Sequence, residues 1–280
     1  MNTVAIMGVG LIGGSFGLAL RENGFTGDII GVSSQPAIEA GLKAGSITRT
    51  ASLEEAAATA DLIYLAQPVD RILNTMERLG AFVRPRVLVT DAGSTKSAIV
   101  QKAKESLPEV AFVGGHPLAG KEKGGAQAAQ ADLFLGKPYI LTPHLPPTEA
   151  ESDFRIWLAR IGAQLVEMSP DEHDSTVAFT SHLPQLVSTA LSLALSRQFE
   201  SQPTEVFGSG LLDMTRLAMS SPELWMPILR TNKSAVLAAL EMHSAALKDL
   251  QLSLQNDSLI ELFRAGSKWA KELRNPRGGI

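Results

Sequence analysis

Three short stretches combine residue types that do chemistry with a position just after an apolar run. They are Gly8, Gly10 and Gly13 after TVAIM, the turn Ser94, Thr95 and Lys96 after RVLVTDAG, and His116 after VAFVGG. Glycines in G-x-G-x-x-G spacing between a strand and a helix suit a pyrophosphate: Gly8 makes the turn, Gly10 lets the backbone approach, and Gly13 allows close helix-to-strand packing. A helix predicted from Leu11 to Asn23 places unpaired N–H groups, including those of Leu11 and Ile12, at the same point and adds partial positive charge for the anion. A continuous helix from Val4 would lose about 1 kcal/mol at each interior glycine, which favours strand, turn and helix. A secretory signal is disfavoured, because only Met1, Asn2 and Thr3 precede the apolar run and the first basic residue is Arg21. The stretch therefore reads as a dinucleotide-binding turn. Beside such a cofactor, an imidazole at His116 could accept a proton from a substrate hydroxyl while a nicotinamide takes a hydride. A histidine satisfied by backbone groups in a turn fits the same position, and Ser94 or Ser97 fits simple helix capping.

The elements that must position these groups follow from alternation. Strands are predicted at Thr3 to Met7 and Asp28 to Val32, with Gly24 closing the helix between them. Ser52 and Glu55 have capping-box spacing before a short helix that leads to the strand DLIYLAQP. Further strands are RVLVTD, VAFVGG, PYILTP and AQLVEM, with a helix from about Thr148 to Ile161 after the break at Pro143, Pro146 and Pro147. Such alternation predicts an α/β fold, a Rossmann-type doubly wound, mostly parallel sheet with helices on both faces. Beyond Pro170 long helical patterns dominate, so a nucleotide-binding domain at 1–169 and an all-α domain at 170–280 are expected, the latter apolar over too wide an arc for one-sided packing and hence a dimerisation domain.

Ligands of a parallel sheet collect at the carboxyl ends of its strands. Gln67 and Pro68 end one strand there, and Ser33, Ser34 and Gln35 follow another, where an NAD-preferring site would usually carry an acid. Asp28 lies at the wrong end of that strand. Without the acid nothing repels a 2′-phosphate, so NADP is expected over NAD, although no arginine stands in the loop.

The chain has 280 residues, 45% hydrophobic and 19% charged, which is ordinary for a globular protein of two domains. A net charge of −4 gives no electrostatic case for nucleic acid, and no apolar run reaches the roughly 18 residues of a membrane span. The absence of cysteine excludes disulfides and thiol catalysis, no metal site is expected, and the cytoplasm is the default compartment.

The segments GVGLIGGS, TDAGSTKSAI, GGHPLAGKEKGG, SHLPQ and LLDMTRLAMSSPELW, in this order, resemble the prephenate and arogenate dehydrogenases of tyrosine biosynthesis. The resemblance covers nearly the whole chain. It implies a homodimer that oxidatively decarboxylates prephenate, arogenate or both, with His116 hydrogen-bonded to the C4 hydroxyl of the cyclohexadienol ring and Ser94 assisting there. It assigns Arg216 to a substrate carboxylate, Glu122 and Asp213 to an ionic gate with that arginine, and Trp225 to the partner subunit's contribution. Without the family pattern, Arg216 and Asp213 would read as an i, i+3 surface pair and Trp225 as a core or seam aromatic. Many prephenate-using relatives carry a second histidine where this chain has Gln185, three residues after His182, and this leaves the substrate preference open. His182 suits either the site or helix packing; His144, His173 and His243 are expected to be surface or structural. The alternatives are another oxidoreductase of the same layout, for which Lys233 would be the candidate, and a non-catalytic NADP sensor.

Overall fold

A computed structural model describes residues 1–121, 124–143, 147–200 and 205–275. Eight strands form one sheet: β1 (Thr3–Met7), β2 (Asp28–Val32), β3 (Arg49–Thr50), β4 (Leu62–Leu65), β5 (Leu88–Asp91), β6 (Ala111–Pro117), β7 (Pro138–Pro143) and β8 (Gln164–Glu167). Their order is β3-β2-β1-β4-β5-β6-β7-β8, parallel throughout except for the antiparallel pair β6 and β7.

Strand geometry divides the apolar residues between two layers, because successive side chains point to opposite faces. Ala5, Met7, Ile63, Leu65 and Val89 share one buried cluster with the helices Leu53–Thr59, Val69–Leu79 and Ser97–Ser106. Val4, Ile6, Leu62, Tyr64 and Leu88 share the other with the helices Leu11–Glu22 and Glu149–Arg160. Phe16 stacks on Tyr64 with ring centroids 4.2 Å apart, joining the first helix to the middle of the sheet. This is the doubly wound arrangement expected from the alternation.

Local departures have identifiable causes. The first helix closes at Glu22 with Asn23 as its cap, and Gly24 follows at φ +88°. The expected capping box at Ser52 is half formed: its hydroxyl accepts from the Glu55 N–H at 3.1 Å, but the Glu55 carboxylate accepts from Arg49 instead. A complete box lies at Ser169 and Glu172, opening the helix Pro170–Val177. The long helical pattern that follows is interrupted by a π-turn, Ala178–His182, before the helix Leu183–Gln198. Pro184 explains this, since it has no N–H to continue an α-helical ladder and its ring crowds the preceding turn. A second long pattern breaks at Asn232, between the helices Pro222–Thr231 and Lys233–Gln255.

The chain forms two compact units, Met1–Lys233 and Ser234–Ile280. The second holds most of the helix Lys233–Gln255 and the helix Leu259–Arg274. Large apolar side chains stand exposed on helices of both units, among them Leu193, Leu212 and Met226 in the first and Leu254, Phe263 and Trp269 in the second. No helix of the described residues is long and apolar enough to cross a membrane.

Candidate active site

The carboxyl ends of β1, β4, β5 and β6 lie along one edge of the sheet. At β1, Gly8 adopts φ +100°, and a Cβ there would fall 2.4 Å from the Ala66 carbonyl oxygen. A Cβ on Gly13 would fall 2.1 Å from the Gly8 carbonyl oxygen. Gly10, by contrast, has nothing within 4 Å of the equivalent position, and it caps the helix Leu11–Glu22 without any side-chain bond to the helix N–H groups. Two glycines are therefore required by packing and the third opens the backbone, which is the cradle a pyrophosphate needs. Gln67 and Pro68 follow β4 beside it, and Gln67 Oε1 accepts from the Thr75 hydroxyl at 2.8 Å. Ser33, Ser34 and Gln35 are exposed at the end of β2, and Ser34 caps the helix Gln35–Ala44 without a side-chain hydrogen bond.

Between β5 and β6 the site is built from buried side chains. Lys96 and Asp91 are completely buried as an ion pair. Lys96 Nζ also donates to the Gly115 carbonyl at 2.8 Å, while the Asp91 carboxylate accepts from the N–H groups of Gly93 and Gly115 at 2.7 and 3.1 Å. Burial pushes the Asp91 carboxyl up and the Lys96 ammonium down, each opposed by the partner's charge. The pair clamps the end of β5 to the residue before His116. The sequence marks Lys96 as part of the turn after β5 but gives it no role, and Asp91 does not stand out; the signal that could have paired them is a Lys in a turn between an apolar strand and a helix, with an acid at the strand end.

His116, half-buried on β6, is 2.8 Å from His173 Nε2 through its Nδ1. His173 Nδ1 in turn is 2.8 Å from Asp174 Oδ1. His173 is fully buried, so of the two expectations, surface or structural, only the second fits; its partners come from both parts of the fold. Asp174 also accepts from the Lys96 and Ser97 N–H groups at 2.7 and 2.9 Å, and so caps the helix Ser97–Ser106. Neither Ser94 nor Ser97 does so: Ser97 donates its hydroxyl to Asp171, and Ser94 is half-buried with no side-chain hydrogen bond among the described residues. Burial holds His116 well below the usual histidine range, reinforced by His173, Lys96 and His182. Burial lowers His173 as well, and takes His182 to about 4. The Asp174 carboxyl lies below its ordinary value: burial raises it, but hydrogen bonds from His173 and the two N–H groups outweigh this.

His182 is buried in the π-turn, 3.3 Å from Asn232 Nδ2, which also donates to the Asp174 carbonyl at 2.7 Å. Trp225 packs its ring edge-on to His182 of its own chain, with centroids 5.9 Å apart. Gln185 Nε2 donates to the Leu217 carbonyl at 2.8 Å, and the Ser188 hydroxyl accepts from the Ala218 N–H at 3.0 Å. These two bonds seat the turn Arg216–Met219 on the helix Leu183–Gln198. Arg216 and Asp213 are exposed at the join of that turn and the helix Ser209–Thr215. Lys233 is exposed, and His243 is partly so. Glu122 and His144 lie outside the described residues. Among the described residues no group of acids and histidines is arranged to hold a metal ion.

Known proteins share this organisation. The family model for the nucleotide-binding domain of prephenate dehydrogenase matches residues 16–167, and that for its dimerization domain matches residues 169–265. The glycine cradle precedes the first match, so its assignment stands on the geometry above. Prephenate dehydrogenase of Bacillus subtilis is 35% identical over 282 residues, covering 98% of this chain and 76% of that protein. The crystal structure of prephenate dehydrogenase from A. aeolicus in complex with hydroxyphenyl propionate and NAD+ superimposes with a TM-score of 0.87 at 32% identity, covering 99% of this chain and 97% of that one. The structure of Synechocystis arogenate dehydrogenase gives a TM-score of 0.79 at 30% identity, covering 98% and 99% respectively.

Proposed function

The chain belongs to the prephenate dehydrogenase family, and from that premise we propose that it oxidatively decarboxylates prephenate or arogenate with a nicotinamide dinucleotide. The observation that carries this reading is the place of His116, at the sheet edge that also holds the Gly8–Gly13 cradle. The cofactor supplies a hydride acceptor, and the glycines, with Leu11, Ile12, Gln67 and Pro68, would hold it. Everything else is positioning and proton handling. His116 takes the C4 hydroxyl proton as C4–H leaves with its electron pair. The ring carboxylate departs as carbon dioxide, and its bonding pair enters the ring. His116 then returns the proton to the phenolic oxygen. Aromatisation drives the reaction, so orientation and one acid–base group suffice.

Ser94, whose hydroxyl has no hydrogen-bond partner among the described residues, offers it to the same oxygen. Arg216 suits the substrate's side-chain carboxylate, because a guanidinium presents paired donors. Glu122, Asp213, His182, Gln185 and Trp225 complete the proposed substrate side, with Gln185 acting through the turn that carries Arg216. The exposed apolar helices and the matched dimerization domain support a homodimer, with the division of labour falling near residue 169. For the cofactor's ribose we propose a preference for NADP. Ser33 and Ser34 are exposed hydroxyls, and the helix they precede has no side-chain cap to compete for its N–H groups.

The test is oxidation of prephenate and of arogenate, each with NAD and NADP, by the unmodified protein and two variants. His116→Asn should lower kcat by about 10²- to 10⁴-fold and leave cofactor affinity intact. Arg216→Ala should chiefly raise the substrate KM, because a carboxylate clamp acts in ground and transition states alike. The rate should rise with pH as His116 loses its proton. Since its pKa is held down, this limb should lie below pH 6.5, and it should vanish in His116→Asn. Oxidation of neither compound with either cofactor would overturn the assignment.

A further inference from the structure

We propose that His173 and Asp174 are positioning residues that fix the tautomer of His116, so that its Nε2 meets the reacting hydroxyl as a bare acceptor and the proton taken there is held until it is returned. The inference rests on the reading of His116 as the base. It follows from counting donors along three side chains.

Asp174 is the fixed end of the chain. Its carboxylate already accepts two backbone N–H groups, those of Lys96 and Ser97, and as an anion it can only accept. The 2.8 Å contact from His173 Nδ1 to Asp174 Oδ1 is therefore an N–H donated by His173. His173 is buried and held neutral, so with its proton on Nδ1 its Nε2 bears a lone pair. The contact of 2.8 Å between that Nε2 and His116 Nδ1 then requires His116 to donate from Nδ1. A neutral His116 with its proton on Nδ1 has its lone pair on Nε2. The opposite tautomer would set two lone pairs against each other between the rings.

The same chain serves the protonated state. When the substrate O–H bond breaks and an N–H forms on His116 Nε2, the imidazolium still donates from Nδ1 to His173. His173 still donates to Asp174, whose negative charge is thus coupled to the new positive one through a polarised neutral ring. No proton need move between the rings, and the proton on Nε2 returns to the product oxygen. Nearby charges would otherwise oppose this step. Lys96, on the loop between β5 and the helix Ser97–Ser106, disfavours a second positive charge, while Asp91 neutralises Lys96 directly; His182, from the π-turn, is itself held neutral by burial. Asp174 is the acid that reaches His116 through a continuous hydrogen-bonded path.

Remote chain segments are locked around this arrangement. Asp174 caps the helix Ser97–Ser106, and Asn232 ties the Asp174 carbonyl to His182. The Thr95 and Thr231 hydroxyls meet at 2.8 Å beside it. The tautomer is consequently a property of the folded protein, present before substrate binds.

The experiment is ¹⁵N NMR of protein labelled at histidine, without substrate, at a pH above the histidine range, with His116 assigned by its loss in His116→Asn. The expected spectrum has His116 protonated at Nδ1 and bare at Nε2. His173→Phe removes the acceptor and should leave His116 in mixed tautomers; kcat should fall on the order of 100-fold, with cofactor affinity and substrate KM little changed. His173→Gln restores an acceptor oxygen and should recover both the tautomer and most of the turnover. A merely structural role for His173 would not move the tautomer, nor would glutamine rescue it selectively. A wild-type His116 protonated at Nε2, or a His173→Phe protein with unchanged tautomer and turnover, overturns the inference. If the tautomer is as expected but neither prephenate nor arogenate is oxidised, the proposed function fails and the positioning role stands on the spectrum alone.

Discussion

The two halves of the candidate site are held by opposite means. The glycine cradle at β1 is made of backbone and of missing side chains: Gly8 and Gly13 leave no room for a Cβ, and Gly10 leaves the space above it open. The cluster at β5 and β6 is made of side chains that fill the interior, with Lys96, Asp91 and His173 all completely buried. A cradle of the first kind binds through N–H groups fixed by the local turn, so its geometry is decided within about a dozen residues. The second kind depends on groups far apart in sequence that each satisfy another's charge or hydrogen bond. A backbone cradle should fail locally when altered, and a buried charge network should fail as a whole.

The largest effect should therefore come from Lys96→Met. Methionine fills the volume but leaves the Asp91 carboxyl buried without its counter-charge, a type of change that costs about 3–5 kcal/mol. Urea denaturation should register that loss. Replacing Asp91 by Leu in addition should not restore stability, because the Gly93 and Gly115 N–H groups would then lose their acceptor. A Lys96→Met protein as stable as the wild type would show that the pair is not a charged clamp.

Gly13→Ala should have a smaller and more confined consequence. The added Cβ meets the Gly8 carbonyl oxygen at 2.1 Å and Ile6 Cγ2 at 2.8 Å, so the turn must move away from the helix. Strain of this kind is worth about 1–3 kcal/mol. Directed at the cradle, it should weaken cofactor binding by roughly 10- to 100-fold. Titration of cofactor fluorescence would measure the change, and thermal unfolding without cofactor should move by only a few degrees. A large loss of stability with unaltered affinity would invert the comparison.

The same contrast governs what could be read from the sequence. The strands Thr3–Met7 and Asp28–Val32 and the glycine turn between them were legible because period, spacing and turn chemistry all act within neighbouring residues. His116 was legible as a group at a strand end. His173 was not, because its burial depends on Asp174 meeting the N–H groups of Lys96 and Ser97 across 78 and 77 residues of chain. The local clue was a His-Asp pair in the helix opened by Ser169 and Pro170, where a capping pattern explains the acids well enough to hide a second role. Gln185 shows a related limit: its type suggests a substrate contact, whereas its N–H is spent on the Leu217 carbonyl that seats the Arg216 turn.

The smallest expected effect belongs to the outer rim of the cradle, where specificity depends on a single charge in solvent. Ser34 is exposed and caps the helix Gln35–Ala44 without a hydrogen bond from its side chain. Aspartate is equally good as a cap, so Ser34→Asp should leave the fold unchanged. Its carboxylate would lie at the place proposed for a 2′-phosphate, and repulsion there would weaken NADP, while a ribose 2′-hydroxyl could donate to it and strengthen NAD. Glu39, which accepts from the Gln35 amide one turn along, already places one acid near this rim, so the unmodified preference for NADP should be modest. Exposure and salt screening limit a single surface charge to about 1 kcal/mol, or roughly a fivefold shift in the ratio of the two affinities. Direct titration with both dinucleotides at low and high ionic strength would measure that ratio. The shift should shrink as salt is added, and tighter binding of NAD than NADP by the unmodified protein would overturn the proposed preference.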